Sequence, residues 1–290
     1  MTRRVWIDTD PAITSGNGEV DDGFALMQAF GSPELEIVGI SAVFGNTELD
    51  NTDTMAREIV RRVGSAVPVY RGHSEEGARD RCAAVEGLLR ALEGGPLTII
   101  ALGPLTNIAA ALTQPDAVLD NVEEIVFVGG RRIGLEFRAT PDQETPFRDL
   151  NFELDADAAE ALLALGLPMT LAGWEVSSQM WLSAEDLAKL RVTGSAAVAW
   201  LAAASQDWLD RWVETFKAPG FTPFDTLAVG WLVCPDLFDG FEAPAEVIHT
   251  PERPLFHVDE EIDGPRVRYL RGVDNQAFRA DLMRRLLSLT

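Results

Sequence analysis

Cysteine is scarce in this sequence, and so is histidine. The 290 residues include two cysteines, Cys82 and Cys234, and three histidines, with no Cys-x-x-Cys pair and no Cys/His cluster. Without such a cluster, neither a zinc site nor a disulfide framework is expected. So few cysteines are typical of proteins in a reducing compartment, and we therefore expect a cytoplasmic location.

Positive charge is also scarce. The sequence has 24 Lys and Arg against 46 Asp and Glu, which gives a formal net charge of −22. This imbalance disfavours nucleic acid and anionic membranes as partners. It is compatible with cation binding, although an acid-rich surface in contact with solvent accounts for it equally well.

Long apolar runs and glycine-rich phosphate loops are missing. No apolar stretch approaches the roughly 18 residues of a membrane-spanning helix. Only Val-Trp-Ile separates the basic N-terminus from Asp8, so no signal peptide is expected. Neither GxGxxG nor GxxxxGKS/T follows the first apolar stretch, so a cradle for nucleotide phosphates is poorly supported.

Short apolar runs alternate with helical patterns along most of the chain. Strands are predicted at Val5–Ile7, Leu35–Phe44, Val67–Tyr70, Leu97–Leu102, Glu124–Val128 and Pro168–Leu171. Helices are predicted at Asp22–Phe30, Thr106–Leu112 and Ala156–Leu165. This βαβα order predicts an α/β fold, with an open, mostly parallel twisted sheet and helices on both faces. We find no repeat and no linker, and predict a single domain over residues 1–290.

Carboxylates stand where this fold would place a ligand site. Asp8 and Asp10 end the first strand, Asp21 and Asp22 begin the next helix, and Asp225 precedes a later apolar helix. Ligands of open α/β sheets bind beyond the carboxyl ends of the strands. Acids that converge there need a hard cation, Ca²⁺ or Mg²⁺, or their pKa values rise. The alternative is that the helix-start acids only stabilise helix N-termini.

The ordered motifs resemble those of the inosine-uridine-preferring nucleoside hydrolases. That family opens with a strand, DxDPGxDD and a helix, and this sequence has Asp8-Thr9-Asp10-Pro11 and then Asp21-Asp22. Further matches follow in the same order over roughly residues 4–235: Gly45-Asn46, ALGPLTNIAAAL, EIVFVGG, DLNFELDADAA, GWEVSSQ and PFDTLAV. The resemblance implies the Rossmann-like fold of that family and the hydrolysis of N-glycosidic bonds of ribonucleosides.

The resemblance also implies a calcium site. Its ligands would be Asp10, Asp22, Asp225 and the main-chain carbonyl of Leu102, with Asp8 supporting them. The ion would bind a water molecule and the ribose 2′- and 3′-hydroxyls. Asp225 would contact the substrate as well as the ion. Family members are often dimers or tetramers, so a homo-oligomer is expected by analogy.

Further roles follow from the same resemblance. Asp21 would contact the substrate and take a proton from the attacking water, and the reaction would invert the anomeric carbon through an oxocarbenium-like transition state. Asn46, Asp149 and Asn151 would hold ribose hydroxyls. Trp212 is a candidate for stacking on the base, although its spacing from Trp208 equally fits the core face of a helix.

Several positions depart from the family pattern. The tight turn between the two acidic pairs is replaced by the longer segment Ala12–Val20, which we expect to arch near the mouth of the pocket. Asp149 stands in place of Glu and Glu175 in place of Asp. Phe224 stands where one subgroup has the His that protonates the leaving base. The HGxxG loop over the base is missing, so base preference stays open.

Two rival interpretations remain. Phosphohydrolases of the haloacid-dehalogenase type also open with a strand and DxD, but they need Thr or Val where Ala12 stands. The stronger rival is a divergent relative that acts on another N-riboside, or a calcium-dependent protein that binds ribosides without turnover. His73 and His257 are weak candidates for the missing acid.

Overall fold

The fold is built on one nine-stranded sheet. The structure is a computed structural model that describes residues 2–290. Its strands are β1 Arg3–Thr9, β2 Leu35–Ala42, β3 Val69–Arg71, β4 Leu97–Ala101, β5 Val122–Phe127, β6 Met169–Leu171, β7 Phe238–His249, β8 Pro254–Val258 and β9 Arg266–Val273. They lie in the sheet in the order β3-β2-β1-β4-β5-β6-β9-β7-β8. The predicted fold class and all of the predicted strands are confirmed.

Twelve α-helices in the described residues surround this sheet. They are α1 Asp21–Phe30, α2 Leu49–Arg62, α3 Ala83–Glu93, α4 Thr106–Leu112, α5 Leu150–Glu153, α6 Ala156–Ala164, α7 Trp174–Ser177, α8 Ala184–Thr193, α9 Ala196–Ala204, α10 Gln206–Phe216, α11 Thr226–Val233 and α12 Asn275–Ser288. Two hydrophobic clusters, one on each face, cover the sheet. None of the helices within residues 2–290 is both long enough and apolar enough to cross a bilayer.

The centre of the sheet determines where a ligand can bind. β1 pairs in parallel with β2 on one side and with β4 on the other, so the strand order reverses direction at β1. All five residues of β4 are buried, as expected for a parallel strand covered by helices on both faces. The crevice beyond the carboxyl ends of β1 and β4 is therefore the topological switch point at which such sheets bind ligands.

The far edge of the sheet was not predicted. β9 runs parallel to β6 but antiparallel to β7, and β7 pairs antiparallel with β8. Gly240 and Pro244 interrupt the sequence of β7. Because glycine weakens a strand interior and proline cannot donate to the ladder, this stretch does not look like a strand in sequence.

Candidate active site

Three carboxylates from two helix starts meet beyond the end of β1. Asp21 and Asp22 open α1, and Asp225 is the residue before α11. Each of the three offers an oxygen within 4.8 Å of the others, and all three are buried. Acids at helix N-termini are favoured by the helix dipole, which explains how the chain tolerates them there. Packing of α1 against α11 then brings the two helix starts together.

Asp10 lies beside these three. Its Oδ2 accepts a hydrogen bond from the Asn46 backbone N–H at 2.7 Å, while Oδ1 has no partner among the described residues. A Cβ on Gly103 would lie 2.8 Å from Asp10 Oδ1, so the approach of the carboxylate depends on that glycine. Asp22 Oδ1 accepts from the backbone N–H of Asp10 at 3.0 Å and from the Thr9 hydroxyl. We call Asp10, Asp21, Asp22 and Asp225 the acidic floor.

The carboxylates of the acidic floor are buried close together and repel one another. Burial, followed by the charges of neighbouring carboxylates, raises the pKa values of Asp10, Asp21 and Asp225 well above their usual range. Burial also raises the pKa of Asp22 to about 6, although hydrogen bonds from Thr9 and Asp10 oppose the shift. Asp21 Oδ1, like Asp10 Oδ1, is buried without a donor in the described chain. Converging oxygen ligands with unsatisfied lone pairs fit a hard divalent cation.

The predicted carbonyl ligand lies at the end of β4. Leu102 follows that strand directly, and its carbonyl oxygen accepts a hydrogen bond from Asn151 Nδ2 at 2.6 Å. The same amide donates to the Val128 carbonyl at 3.0 Å. Asn151 therefore joins the ends of β4 and β5, and its predicted contact with ribose stays a prediction.

Asp8 is held by side chains of β2 and α4. Its Oδ1 accepts from Asn107 Nδ2 at 2.8 Å and from the Ser41 hydroxyl. Burial raises its pKa to about 7 despite these two donors. Asn107 also contacts His73, whose Nδ1 lies 3.0 Å from its Oδ1. These contacts fit the predicted supporting role of Asp8.

A cavity of about 330 Å³ opens above the floor. The predicted site residues that line it are Asp21, Asn46, Leu102, Asp149, Asn151, Trp212 and Asp225. Asp149 is buried and accepts from the Gly130 backbone N–H at 2.9 Å, and burial raises its pKa to about 7. The structure thus brings residues that lie far apart in sequence to one pocket, as the resemblance implied.

Six aromatic side chains also line the cavity. We call this set the aromatic wall: Phe137, Phe147, Trp174, Trp208, Trp212 and Phe224. Phe147 is at its centre, with ring centroids 5.4 Å from Trp212 and 5.8 Å from Trp174. Trp212 belongs both to the core and to the cavity, since it is buried and also lines the pocket.

Sequence reasoning gave no role to three of these six residues, Phe137, Phe147 and Trp174. Phe137 and Phe147 form an isolated antiparallel bridge within the segment between β5 and α5. That segment is rich in charged residues, glycine and proline, and it has no helical or strand period. The two phenylalanines were the one signal in this segment, because large apolar side chains in a polar loop are expected to pack against the rest of the protein.

The longer segment Ala12–Val20 reaches the cavity, as expected. Asn17 and Glu19 line the pocket, and Asn17 Nδ2 donates to Asn46 Oδ1 at 2.8 Å. Gly16 has a φ of +53°, and a Cβ there would lie 2.5 Å from the Asn46 carbonyl oxygen. Arg211 of α10 donates to the Asn17 carbonyl at 2.6 Å. Glu19 was not predicted as a site residue, and burial, then the charge of Asp22, raises its pKa to about 7.

The weak candidates for a leaving-group acid lie elsewhere. His73 Nε2 contacts the Asp80 carbonyl at 3.1 Å, and His257 Nε2 lies 3.7 Å from Asp259. Neither imidazole is among the residues that line the cavity in the described chain. Glu175 also lies outside it and forms an ion pair with Arg132 at 2.6 Å. Phe224, in contrast, lines the cavity next to Asp225.

Comparison with known proteins agrees with this geometry. Residues 5–280 match the family model described as inosine-uridine preferring nucleoside hydrolase. The chain is 30% identical over 276 residues to a pyrimidine-specific ribonucleoside hydrolase of Citrobacter koseri, which covers 83% of each chain. It is 28% identical over 268 residues to a non-specific ribonucleoside hydrolase of Klebsiella pneumoniae, with 82% of this chain and 81% of the other covered.

A solved structure extends the likeness to the fold. The purine-preferring ribonucleoside hydrolase from Gardnerella vaginalis superposes with a TM-score of 0.86 at 25% identity, and 99% of each chain is covered. The likeness in sequence and in fold thus extends over nearly the whole chain. The protein belongs to the inosine-uridine preferring nucleoside hydrolase family and is a hydrolase that acts on N-glycosyl bonds.

Proposed function

We propose that this protein hydrolyses the N-glycosidic bond of ribonucleosides to ribose and free base, and that it uses Ca²⁺. The observation that carries the proposal is the convergence of Asp21, Asp22 and Asp225 within 4.8 Å, next to a cavity of about 330 Å³. A buried group of carboxylates with unpaired oxygens is costly for the fold unless a cation neutralises it.

The proposed ligands are Asp10, Asp22, Asp225 and the carbonyl of Leu102. When bound, a calcium ion supplies charge neutralisation and lowers the pKa of a coordinated water. The unpaired Oδ1 of Asp10 supports this assignment. Because the ligands are all oxygen and come from four separate elements, they suit the flexible coordination of Ca²⁺ better than the strict octahedron of Mg²⁺.

Asp21 is the proposed general base. It lines the cavity, and its Oδ1 has no donor among the described residues, so this oxygen is available to accept a proton from the attacking water. The water attacks the anomeric carbon while the bond to the base breaks, with inversion of configuration. The negative charge of the floor favours the positive charge that develops on the sugar.

The other predicted residues take part in binding. We propose that Asn46, Asp149 and Asn151 hold ribose hydroxyls and that Trp212 packs against the base, because all four line the same cavity. Relatives with pyrimidine-specific, non-specific and purine-preferring activities resemble the chain at similar identity, so base preference does not follow from the likeness. We further propose that the protein is a single domain, acts in the cytoplasm and assembles as a homodimer or homotetramer.

A nucleoside panel tests the proposal. Inosine, uridine and nicotinamide riboside are incubated with the protein and Ca²⁺, and release of reducing sugar is measured before and after dialysis against EDTA. We expect turnover that EDTA abolishes and Ca²⁺ restores. Binding of ribose and Ca²⁺ without turnover of any riboside would instead favour the alternative, a calcium-dependent riboside-binding protein.

A further inference from the structure

Cleavage of an N-glycosidic bond leaves an electron pair on the base nitrogen. A neutral base then departs as an anion and must gain a proton, whereas a base that is already cationic departs neutral. The ionisable side chains that line the cavity are Glu19, Asp21, Arg148, Asp149 and Asp225. Which of them could supply a proton to the base therefore decides which substrates the site can handle.

None of these five belongs to the aromatic wall. Asp21 and Asp225 are part of the acidic floor, and Asp149 is held by the Gly130 N–H at 2.9 Å. Arg148 forms an ion pair with Glu153 at 2.8 Å. With Asp21 and Asp225 assigned to the floor and Asp149 assigned to ribose in the proposed function, Glu19 is the remaining candidate.

Glu19 is linked through Asn17 to Asn46, a residue that we propose holds ribose. Its Oε2 accepts from Asn17 Nδ2 at 3.0 Å, and the same amide reaches Asn46 Oδ1 at 2.8 Å. The buried indole N–H groups of Trp208 and Trp212 have no partner among the described residues. They can donate a hydrogen bond to a base, but indole does not release its proton.

The aromatic wall is well suited to a cation. Aromatic faces carry negative charge density and attract a cation within about 6 Å of the ring centroid, by roughly 2 kcal/mol or more where water is excluded. Arg211 lies 5.1 Å from the Trp208 ring, and Arg131 lies 5.6 Å from the Phe137 ring. The rings that remain for a bound cation are those of Phe147, Trp174, Trp212 and Phe224. The wall also shares its cavity with Asp21 and Asp225 of the acidic floor, in a chain of net charge −22.

We propose that this cavity selects ribosides whose base carries a positive charge, such as N-ribosylpyridinium or 7-alkylpurine ribosides. The inference rests on the proposed function and names its substrate class. Water oxygen forms a bond to the anomeric carbon, and the C–N bond breaks. The electron pair of the C–N bond moves to the ring nitrogen and neutralises its charge. One proton of the water passes to Asp21. The products are ribose, a neutral base and one proton, and no acid at the wall is needed.

Kinetics on matched substrates form the first arm of the test. We compare kcat/KM for guanosine with 7-methylguanosine, and for uridine with nicotinamide riboside, in the calcium-loaded protein and in Phe224→His. We expect the cationic member of each pair to be favoured by about 10²-fold or more. The Phe224→His variant introduces an acid at the wall and should raise turnover of the neutral members selectively.

Unreactive probes form the second arm, because a cationic base also leaves more easily in solution. The cation 1-methylnicotinamide and its neutral isostere 3-methylbenzamide are compared as competitive inhibitors. We expect the cation to bind at least about tenfold more tightly. Phe147→Leu should reduce this ratio, while Phe216→Leu, a neighbouring ring outside the cavity lining, should keep it.

The outcomes separate the two claims. Equal inhibition by the two probes, or neutral nucleosides turned over within tenfold of the cationic ones, overturns the substrate class and leaves the hydrolase intact. A Glu19→Gln variant that loses turnover of neutral nucleosides alone would also overturn it, since Glu19 would then be the acid. Failure to release sugar from every riboside, charged or neutral, overturns the proposed function itself.

Discussion

The acidic floor and the aromatic wall enclose the same cavity but are built in different ways. The floor comes from the end of β1 and the starts of α1 and α11, which are rigid elements in the centre of the fold. Four of the six wall residues come from the segment between β5 and α5 and from α10. In the proposed function, bond cleavage therefore depends on elements at the centre of the fold, whereas recognition of the base depends on peripheral segments.

This difference separates the two parts of the proposed reaction. Loop and peripheral segments can change without disturbing the sheet, so the wall can adapt to a new base while the floor is kept. Each of the following changes affects one region and leaves the other in place, which makes the two roles measurable separately.

The largest effect is expected from Asp225→Asn. The Asp225 side chain accepts no hydrogen bond from any described residue, so the change removes a ligand charge without breaking a contact. We expect kcat/KM to fall by about 10³-fold or more, because a metal ion supplies several kcal/mol of transition-state stabilisation. The exposed carboxylate in Asp157→Asn is the control and should leave activity unchanged. Retained activity in Asp225→Asn would remove this residue from the site.

Calcium itself should stabilise the fold. The raised pKa values on the floor reflect burial and repulsion between carboxylates, and a bound cation relieves that repulsion. At a free concentration one hundred times the Kd, one site contributes about 2.7 kcal/mol to the free energy of unfolding. We expect thermal unfolding to show a rise in Tm with Ca²⁺ that Asp225→Asn largely removes. An equal rise in both proteins would place the ion elsewhere.

The floor could be predicted from sequence because its residues stand at the boundaries of regular elements. Buried strands that end in Asp, and helices that begin with Asp, mark the same edge of a parallel sheet even before their contacts are known. The central strands were predicted for the same reason, since their apolar runs are continuous. Family resemblance then supplied roles that spacing alone left open.

The wall and the outer sheet edge could not be predicted in this way. Phe137 and Phe147 lie in a segment without period, and their position depends on contacts with Trp174 and Trp212, which are distant in sequence. β7 contains glycine and proline, and it is a strand only because β8 and β9 pair with it on either side. Tertiary contacts determine the positions of the two phenylalanines and the pairing of β7. Hydrophobic periodicity in the sequence contains no information about such contacts.

A smaller effect is expected from Phe147→Ala. This ring contacts two tryptophans of the aromatic wall, so its removal widens the cavity and lowers contact with the base. We expect KM for the best nucleoside to rise about tenfold, as the loss of an aromatic contact costs about 1 kcal/mol beyond the area it buries. The Ca²⁺-dependent rise in Tm should stay as in the parent. Phe216→Ala is the matched control, because Phe216 packs on Phe147 without lining the cavity.

The smallest effect, and the one that best separates the two regions, concerns the segment Ala12–Val20. It begins and ends at the acidic floor, yet Asn17 contacts Asn46 and is itself held by Arg211 beside the wall. Asn17→Ala removes one hydrogen bond to a predicted ribose contact, worth about 1 kcal/mol, so we expect roughly a fivefold loss of kcat/KM.

Deletion of Ser15–Gly18 extends the test from one contact to the whole tip of this segment. We expect it to change the ratio of kcat/KM between nucleosides more than it changes calcium affinity, measured by titration calorimetry. We expect the floor to keep its geometry, because the hydrogen bond from the Asn46 backbone N–H to Asp10, 2.7 Å in the parent, does not involve the deleted residues. An equal loss of calcium affinity would show that the segment is part of the metal scaffold. Asn46, which contacts both Asp10 and Asn17, would then belong to the acidic floor as well.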